Sequence, residues 1–388
     1  MAKSFYSILK DLQSTLADES MEELCSIIKN IIFDKNKIAD LANTLAQSGD
    51  KLNFPNLNTA DIPSTGGPSS LSTIISPLIL KEYFAVPKLG IIGRPAGGID
   101  VLAQIQGYNL KLSKEEIYEI IDKTQYCHFI SNNHFAPLDS KLFKYRSENN
   151  FKNVPGLVIA SLLSKKVAVD IKNVCLDIRY SHFGNFGSSL EEARKLSDNF
   201  KLVSSLLGIN STFYFSDNTR LLQPYIGRGE SLLAIHEYFL DTKNNWLNHH
   251  IEHDCREMVS TLTNHKIESP ELKSIIIKNF TENIECQGGS IDSFENVVQK
   301  TRDSHIYEFS ANKSGILSID MMKMRDTIVK IQNKYSDKDH EFPDPCGLIF
   351  FKNQNEHISK NEAVLTFRVV ENDLEYFKNE LNKFIIID

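Results

Sequence analysis

From about residue 86 to residue 217, short apolar runs alternate with amphipathic helical stretches, and that alternation constrains the fold more than any other feature. "KLGIIG", "YCHFIS", "VCLDIRY" and "STFYFSD" read as strands. "LSKEEIYEIIDKTQ", ahead of the second, carries Ser113 and Glu116 at the spacing of a capping box. "LEEARKLSDNFKLVSSLLG", ahead of the last, ends at Gly208, a residue suited to a left-handed helix cap. Helices between consecutive strands supply the crossovers that parallel pairing needs, so the expected class is α/β with a mixed, largely parallel sheet.

The flanks differ in texture. Residues 4–47 read as two or three helices, with Phe5, Ile8, Leu9, Leu12 and Leu16, then Leu24, Ile27, Ile28 and Ile31, at helical spacing. Helices resume over Asp139 to Asp170. From Ser304 onward "HIYEFSA", "GLIFF" and "AVLTFRV" suggest a smaller α+β part around one helix. A net charge of -7 argues against a nucleic-acid backbone or an anionic membrane as the main partner. "MAKSFYSILKDLQ" lacks an apolar core of secretory length and no later run is long enough to span a bilayer, so the expected location is the cytoplasm. Six scattered cysteines without a C-x-x-C pair suit reduced thiols.

The stretch "STGGPSSLS", Ser64 to Ser72, has the glycines and hydroxyls of an anion-wrapping loop, yet no Lys or Arg occurs between Lys51 and Lys81. A second glycine loop follows in "IIGRPAGGID". With "STGG…SLSTIISPL", "PKLGIIGR…GGID", "APLDSKLFKYR", "ASLLSKKVA", "VCLDIRY…LEEARKL" and "QPYIGRGESL" in this order, the chain resembles the thymidine and pyrimidine-nucleoside phosphorylases. The "QPYIGRG" run is slightly more similar to the archaeal nucleotide phosphorylase, and the likeness continues through the C-terminal "FPDPCGLIFFKNQNEHISKNEAVLTFRV".

The resemblance implies a small discontinuous helical domain (1–48 and 138–170), a large α/β domain (52–137 and 171–303) and a C-terminal α+β subdomain (304–388). It implies a cleft between the first two, a homodimer through the helical domain, and a pentosyltransferase acting on a small-molecule pyrimidine nucleoside or nucleotide. The family's base-binding Arg, Ser and Lys fall on Arg146, Ser161 and Lys165, although Pro155 sits one position from its usual place. Ser161 and Lys165 are four apart and share a helix face. Two cations and a hydroxyl complement the oxygens and N–H of a pyrimidine edge, and the cations would bind the departing base anion more tightly than the substrate. The plainer reading pairs Arg146 with Glu148 or Asp139 and leaves Lys165 and Lys166 as a solvated helix end.

The acceptor side departs from the family. Where the family has a Lys-His pair ahead of the first loop, the lysine on the anion and the histidine against base and sugar as proton donor, this chain has Ile62 and Pro63. The family's serine before Gly-Arg is Ile92, its threonine after Gly-Gly is Ile99, and a His-Thr pair is missing from the second loop. Ser64, Thr65, Gly66, Gly67, Ser72, Gly97 and Gly98 remain as the candidate acceptor loop. Losing one charge-assisted partner costs about 1.5–3 kcal/mol, so the loops are expected to keep their shape without gripping free phosphate. His134 is the candidate acid or base, with a structural turn as the alternative, and Arg94 is the nearest cation in the second loop.

Three readings follow. One is glycosidic C–N cleavage or glycosyl transfer with an altered acceptor: water, another small nucleophile, or a phosphate already on the substrate. The second is a catalytically inactive pyrimidine sensor or partner subunit. The third is an ordinary phosphorylase whose anion ligands come from elsewhere. No cofactor or metal is assigned. The family's potassium-binding glutamate falls on Ser231 or Ile235. "NHHIEHDC" offers His249, His250, His253 and Cys255 but reads as an ordinary surface helix, and Met322-Lys323-Met324 lies in a helical pattern unlike a biotinylated hairpin.

Overall fold

The computed structural model describes residues 4–14, 18–69, 71–93, 95–131, 134–182, 186–265, 269–337 and 340–388. Helices α1 (Phe5–Ser14), α2 (Asp18–Asn30) and α3 (Lys35–Ala46) come first, and the Asp34 side chain caps α3 by accepting from the N–H groups of Asn36 and Lys37. Then follow β1 (Ala60–Asp61), α4 (Ser72–Leu80), β2 (Val86–Gly90), α5 (Gly98–Leu102), α6 (Lys114–Thr124) and β3 (Tyr126–Ile130). The Ser113–Glu116 capping box is formed at the start of α6. Proline opens both α7 (Pro137–Glu148) and α8 (Pro155–Ala168), where its missing N–H is not needed.

β4 (Asn173–Tyr180), α9 (Leu190–Leu206) and β5 (Asn210–Asp217) complete the alternating region. β2 and β3 are parallel, as are β1, β4 and β5, and a parallel bridge from Thr59 to Ala85 links the two groups. Strands β2, β3 and β4 are buried along nearly their whole length, which explains why their sequences are apolar rather than alternating.

One core joins α1–α3, α7 and α8 to residues of β2, β3 and β4. α8 packs closely on α2 and α3 through Gly156, where a Cβ would stand 2.9 Å from Ile28 Cγ2 and 3.1 Å from Ile38 Cδ1. A second core gathers α4 and α5 with β6 (Tyr225–Ile226), α10 (Arg228–Phe239), α11 (Asn245–His249), α12 (Arg256–Thr263), α13 (Ser269–Cys286) and α14 (Ile291–Asp303). Between α11 and α12 the chain makes a π turn, His250–Cys255. His250, Ile251 and Cys255 are buried there, so this segment is only partly the surface helix expected.

The C-terminal part holds β7 (Tyr307–Ser310), β8 (Gly315–Ile319), α15 (Met321–Lys334), β9 (Cys346–Phe350), β10 (His357–Ile358), β11 (Ala363–Val369), α16 (Leu374–Phe384) and β12 (Ile385–Ile387). Its sheets are antiparallel, in the orders β6-β9-β11-β7 and β10-β8-β12. Two helices pack here rather than the one expected; Phe377, Leu381 and Phe384 form the buried stripe of the second. All six cysteines are free thiols. Among the described residues no helix is long and apolar enough to cross a membrane.

Candidate active site

The first glycine loop runs from β1 alongside β4. Thr65 N–H donates to the Asp177 carbonyl (3.0 Å), Asp177 N–H to the Pro63 carbonyl (2.9 Å), and Arg179 N–H to Thr65 Oγ1 (2.9 Å). Gly66 and Gly67 take φ of 111° and 131°, a region that L side chains rarely adopt. The cation missing from the local sequence arrives from β4. Arg179, buried, donates to the carbonyls of Gly66 and Ser69, to Ser72 Oγ (3.0 Å) and to Asp177 Oδ2 (2.9 Å). Ser72 is thereby tied into the loop's support. Ser64, Thr65, Gly66 and Gly67 line a cavity of about 200 Å³.

Arg146, Ser161 and Lys165 line that same cavity. None of the three is more than 6% exposed, which rules out a solvated helix end for Lys165. Arg146 donates to the carbonyls of Lys152 (2.7 Å), Leu157 (3.0 Å) and Phe151 (3.3 Å), clamping the turn between α7 and α8. Lys165 Nζ donates to Asp139 Oδ2, to the Ser161 carbonyl (2.6 Å) and to Ser161 Oγ (3.1 Å). An ammonium has three hydrogens, and all are engaged. Burial lowers the pKa of both cations; Asp139 opposes that shift in each. Asp139 Oδ1 is buried and has no hydrogen-bond partner among the described residues.

A second cavity of about 130 Å³ lies between the two glycine loops, and Gly97 and Gly98 belong to its wall. Its polar lining includes residues that the sequence reading did not single out: Asp61, Lys88, His128 and Lys166. Lys88 Nζ donates to Asp61 Oδ1 (2.6 Å) and to the Ile62 carbonyl (2.9 Å), while Lys166 Nζ donates to Asp61 Oδ2. Burial pushes the Asp61 carboxyl up, but the two ammoniums outweigh it and hold it well below the usual carboxylate range. Burial lowers the pKa of Lys88, against the pull of Asp61. Two cations sharing one carboxylate leave the group one positive charge in excess.

His128 stands beside them. Burial, reinforced by Lys88, holds its pKa well below the ordinary histidine value, so the ring is neutral near pH 7. Its Nδ1 lies 3.0 Å from the Tyr126 hydroxyl. If that hydroxyl donates to Nδ1, the neutral ring carries its hydrogen on Nε2. Gly98 makes room for the ring: a Cβ there would fall 2.5 Å from His128 Cε1.

Of the apolar residues expected at this place, Pro63 and Ile99 line the second cavity, together with Leu89, Ile91 and Leu162. Ile62 is buried in the second core and offers only its carbonyl, to Lys88. Ile92 is 46% exposed and lines a different cavity. Ile99 alone of the three lines the space between the loops. His134 stands apart, its side chain 66% exposed with Nδ1 3.5 Å from Asp50 Oδ2, in the wall of a third cavity of about 640 Å³. Arg94 lies outside the described residues.

No protein-family model matches the chain. It is 23% identical over 382 residues to a pyrimidine-nucleoside phosphorylase of Staphylococcus epidermidis, covering 90% of this chain and 84% of that protein. The pyrimidine-nucleoside phosphorylase of Geobacillus stearothermophilus is 21% identical over 394 residues, with 96% and 89% covered. The chain is a distant homologue of these phosphorylases. Among solved structures, anthranilate phosphoribosyltransferase from Thermus thermophilus superposes at a TM-score of 0.49 and 14% identity, over 76% of this chain and 99% of that one. Ahead of the first loop this chain has Ile62 and Pro63, while Lys88 lies on β2 and His128 on β3.

Proposed function

We propose that this chain transfers a pentosyl group between a pyrimidine base and an oxyanion acceptor, and that inorganic phosphate is the acceptor the second cavity suits. The observation that carries this reading is a shared wall. Ser64, Gly66, Gly67, Leu162 and Lys165 line both the cavity holding the base-site residues and the one holding Lys88, His128 and Lys166. A base and an anion bound in the two would meet over Lys165. The reading therefore moves the anion ligands from the loop itself to Lys88 on β2, His128 on β3 and Lys166 on α8.

In the reaction, a phosphate oxygen forms a bond to C1′ while the C1′–N1 bond breaks and its electron pair leaves with the base. Lys165 and the Ser161 hydroxyl face the charge that grows on the base, where fixed donors act most strongly because they need no reorganisation. Lys88 and Lys166 offset the acceptor's charge, and His128 donates from Nε2 to an acceptor oxygen.

The engagement of every Lys165 hydrogen with Asp139 and Ser161 favours a second reading, a binding protein without turnover. Incubation of uridine, thymidine and 2′-deoxyuridine, and their 5′-phosphates, with and without inorganic phosphate separates the two. Phosphate-dependent release of free base, followed by absorbance, supports transfer. Absence of release, with thermal stabilisation by a pyrimidine ligand that Lys165→Ala removes, supports the binding protein. Release that needs no phosphate removes the phosphate assignment, and neither release nor binding removes both.

A further inference from the structure

Outside both cavities, the π turn between α11 and α12 collects His249, His253 and Asp254, with one ligand atom from each within 4.8 Å of the others. In an α-helix residues five apart sit about 140° round the axis from each other. A π turn, closed by i→i+5 hydrogen bonds, brings them to one side. His249 Nε2 is accordingly 3.9 Å from Asp254 Oδ1, although five positions separate them. His253 Nδ1 is 3.3 Å from the same oxygen, and the rings of His249 and His253 stack at 4.7 Å with an interplanar angle of 11°.

The carboxylate is held in place from behind. Tyr214 on β5 donates its hydroxyl to Asp254 Oδ1 (3.0 Å), and buried His250 lies with Nδ1 2.9 Å from Oδ2. Such partners orient metal-ligating carboxylates and imidazoles, and losing one typically weakens metal binding about 10–100-fold. Cys255, beside Asp254 in sequence, is buried in the second core and takes no part.

The geometry points to a divalent-cation site made by His249, His253 and Asp254, with Tyr214 and His250 as positioning residues. Two imidazoles and one carboxylate, with a water completing a tetrahedron, suit Zn²⁺ better than Mg²⁺ or Ca²⁺, which prefer oxygen ligands. Tetrahedral zinc needs its nitrogen and oxygen ligands about 3.3 Å apart; here the three ligand atoms lie within 4.8 Å of one another and both imidazoles are exposed. The ion would fasten the π turn to β5 through Asp254 and Tyr214.

The test titrates the full-length protein with Zn²⁺ against a chromophoric chelator, and with Co²⁺ to read coordination from its absorption. The inference expects one ion per chain, a tetrahedral Co²⁺ spectrum, and affinity at least tenfold lower in His253→Ala and in Asp254→Asn. Tyr214→Phe, which touches no ion, should weaken binding about tenfold. Far-UV circular dichroism checks that each variant stays folded. Binding unchanged in a His249→Ala/His253→Ala variant, binding indifferent to Asp254→Asn, or no stoichiometric uptake at micromolar Zn²⁺ would each overturn it.

Discussion

The linings of the two adjoining cavities handle buried cations differently. On the α7–α8 wall the cations are consumed locally: Arg146 by three carbonyls, Lys165 by Asp139 and Ser161. On the other wall, where β2 and β3 meet the end of α8, Lys88 and Lys166 divide one carboxylate between them, and neutral His128 stands alongside. The first wall, with Arg146 and Lys165 against Asp139, has the same formal excess of one positive charge, but its donors are spent on carbonyls, Asp139 and Ser161. The second brings both of its ammoniums to one carboxylate in the lining of the second cavity, the arrangement that attracts an anion. The contrast teaches that a cleft's charge cannot be judged from its loops alone.

The largest effect on this contrast should come from Asp61→Asn. Breaking a buried ion pair by removing one partner costs about 3–5 kcal/mol, and here two ammoniums lose theirs. Denaturant unfolding should show a loss of that order, and Lys88→Met in the same background should recover part of it. If Asp61→Asn costs under about 1 kcal/mol, the two walls do not differ as described.

Next in size is Lys88→Met alone. It removes one cation from the acceptor wall, an interaction worth about 1.5–3 kcal/mol. Phosphate should bind about 10–100-fold more weakly while pyrimidine affinity, read by thermal shift, stays within about twofold. Equal losses for both ligands would merge the two walls into one site.

His128 should leave its mark on pH dependence. Its folded pKa lies well below the ordinary value, so as pH falls through about 6.5 the unfolded chain takes up a proton that the folded chain does not. Stability should therefore decline on acidification from pH 7 to pH 5. His128→Gln should flatten the decline; an unchanged slope would assign it to other groups. Smallest of all, His134→Ala should change stability by no more than about 0.5 kcal/mol and base release by less than about twofold, as for an exposed side chain.

Helical neighbours were legible because they are close in sequence. The Ser113–Glu116 cap and the i, i+4 pair Ser161 and Lys165 follow from the helix period alone. The acceptor wall was not legible in that way. Lys88 and His128 are direct partners in the parallel register of β2 and β3, 40 positions apart in the chain. One signal was present: a charged or polar residue amid the apolar runs "VPKLG" and "YCHFI" is seldom buried without a partner. The second C-terminal helix was readable from Phe377, Leu381 and Phe384, whereas the π turn left no mark in the spacing.

By itself, the sequence determined the alternation of strand and helix, the helix caps and the distant kinship with pyrimidine-nucleoside phosphorylases. Those depend on local periodicity and on motif order, which survive without coordinates. Only the tertiary structure decided that Arg179 holds the first glycine loop and that Ile62 turns its side chain into the core. It also decided that Lys88 from β2 and Lys166 from α8 meet on Asp61. The reason is physical: a strand takes its neighbours from pairing across long loops, and no local rule fixes which charge a parallel sheet sets beside which.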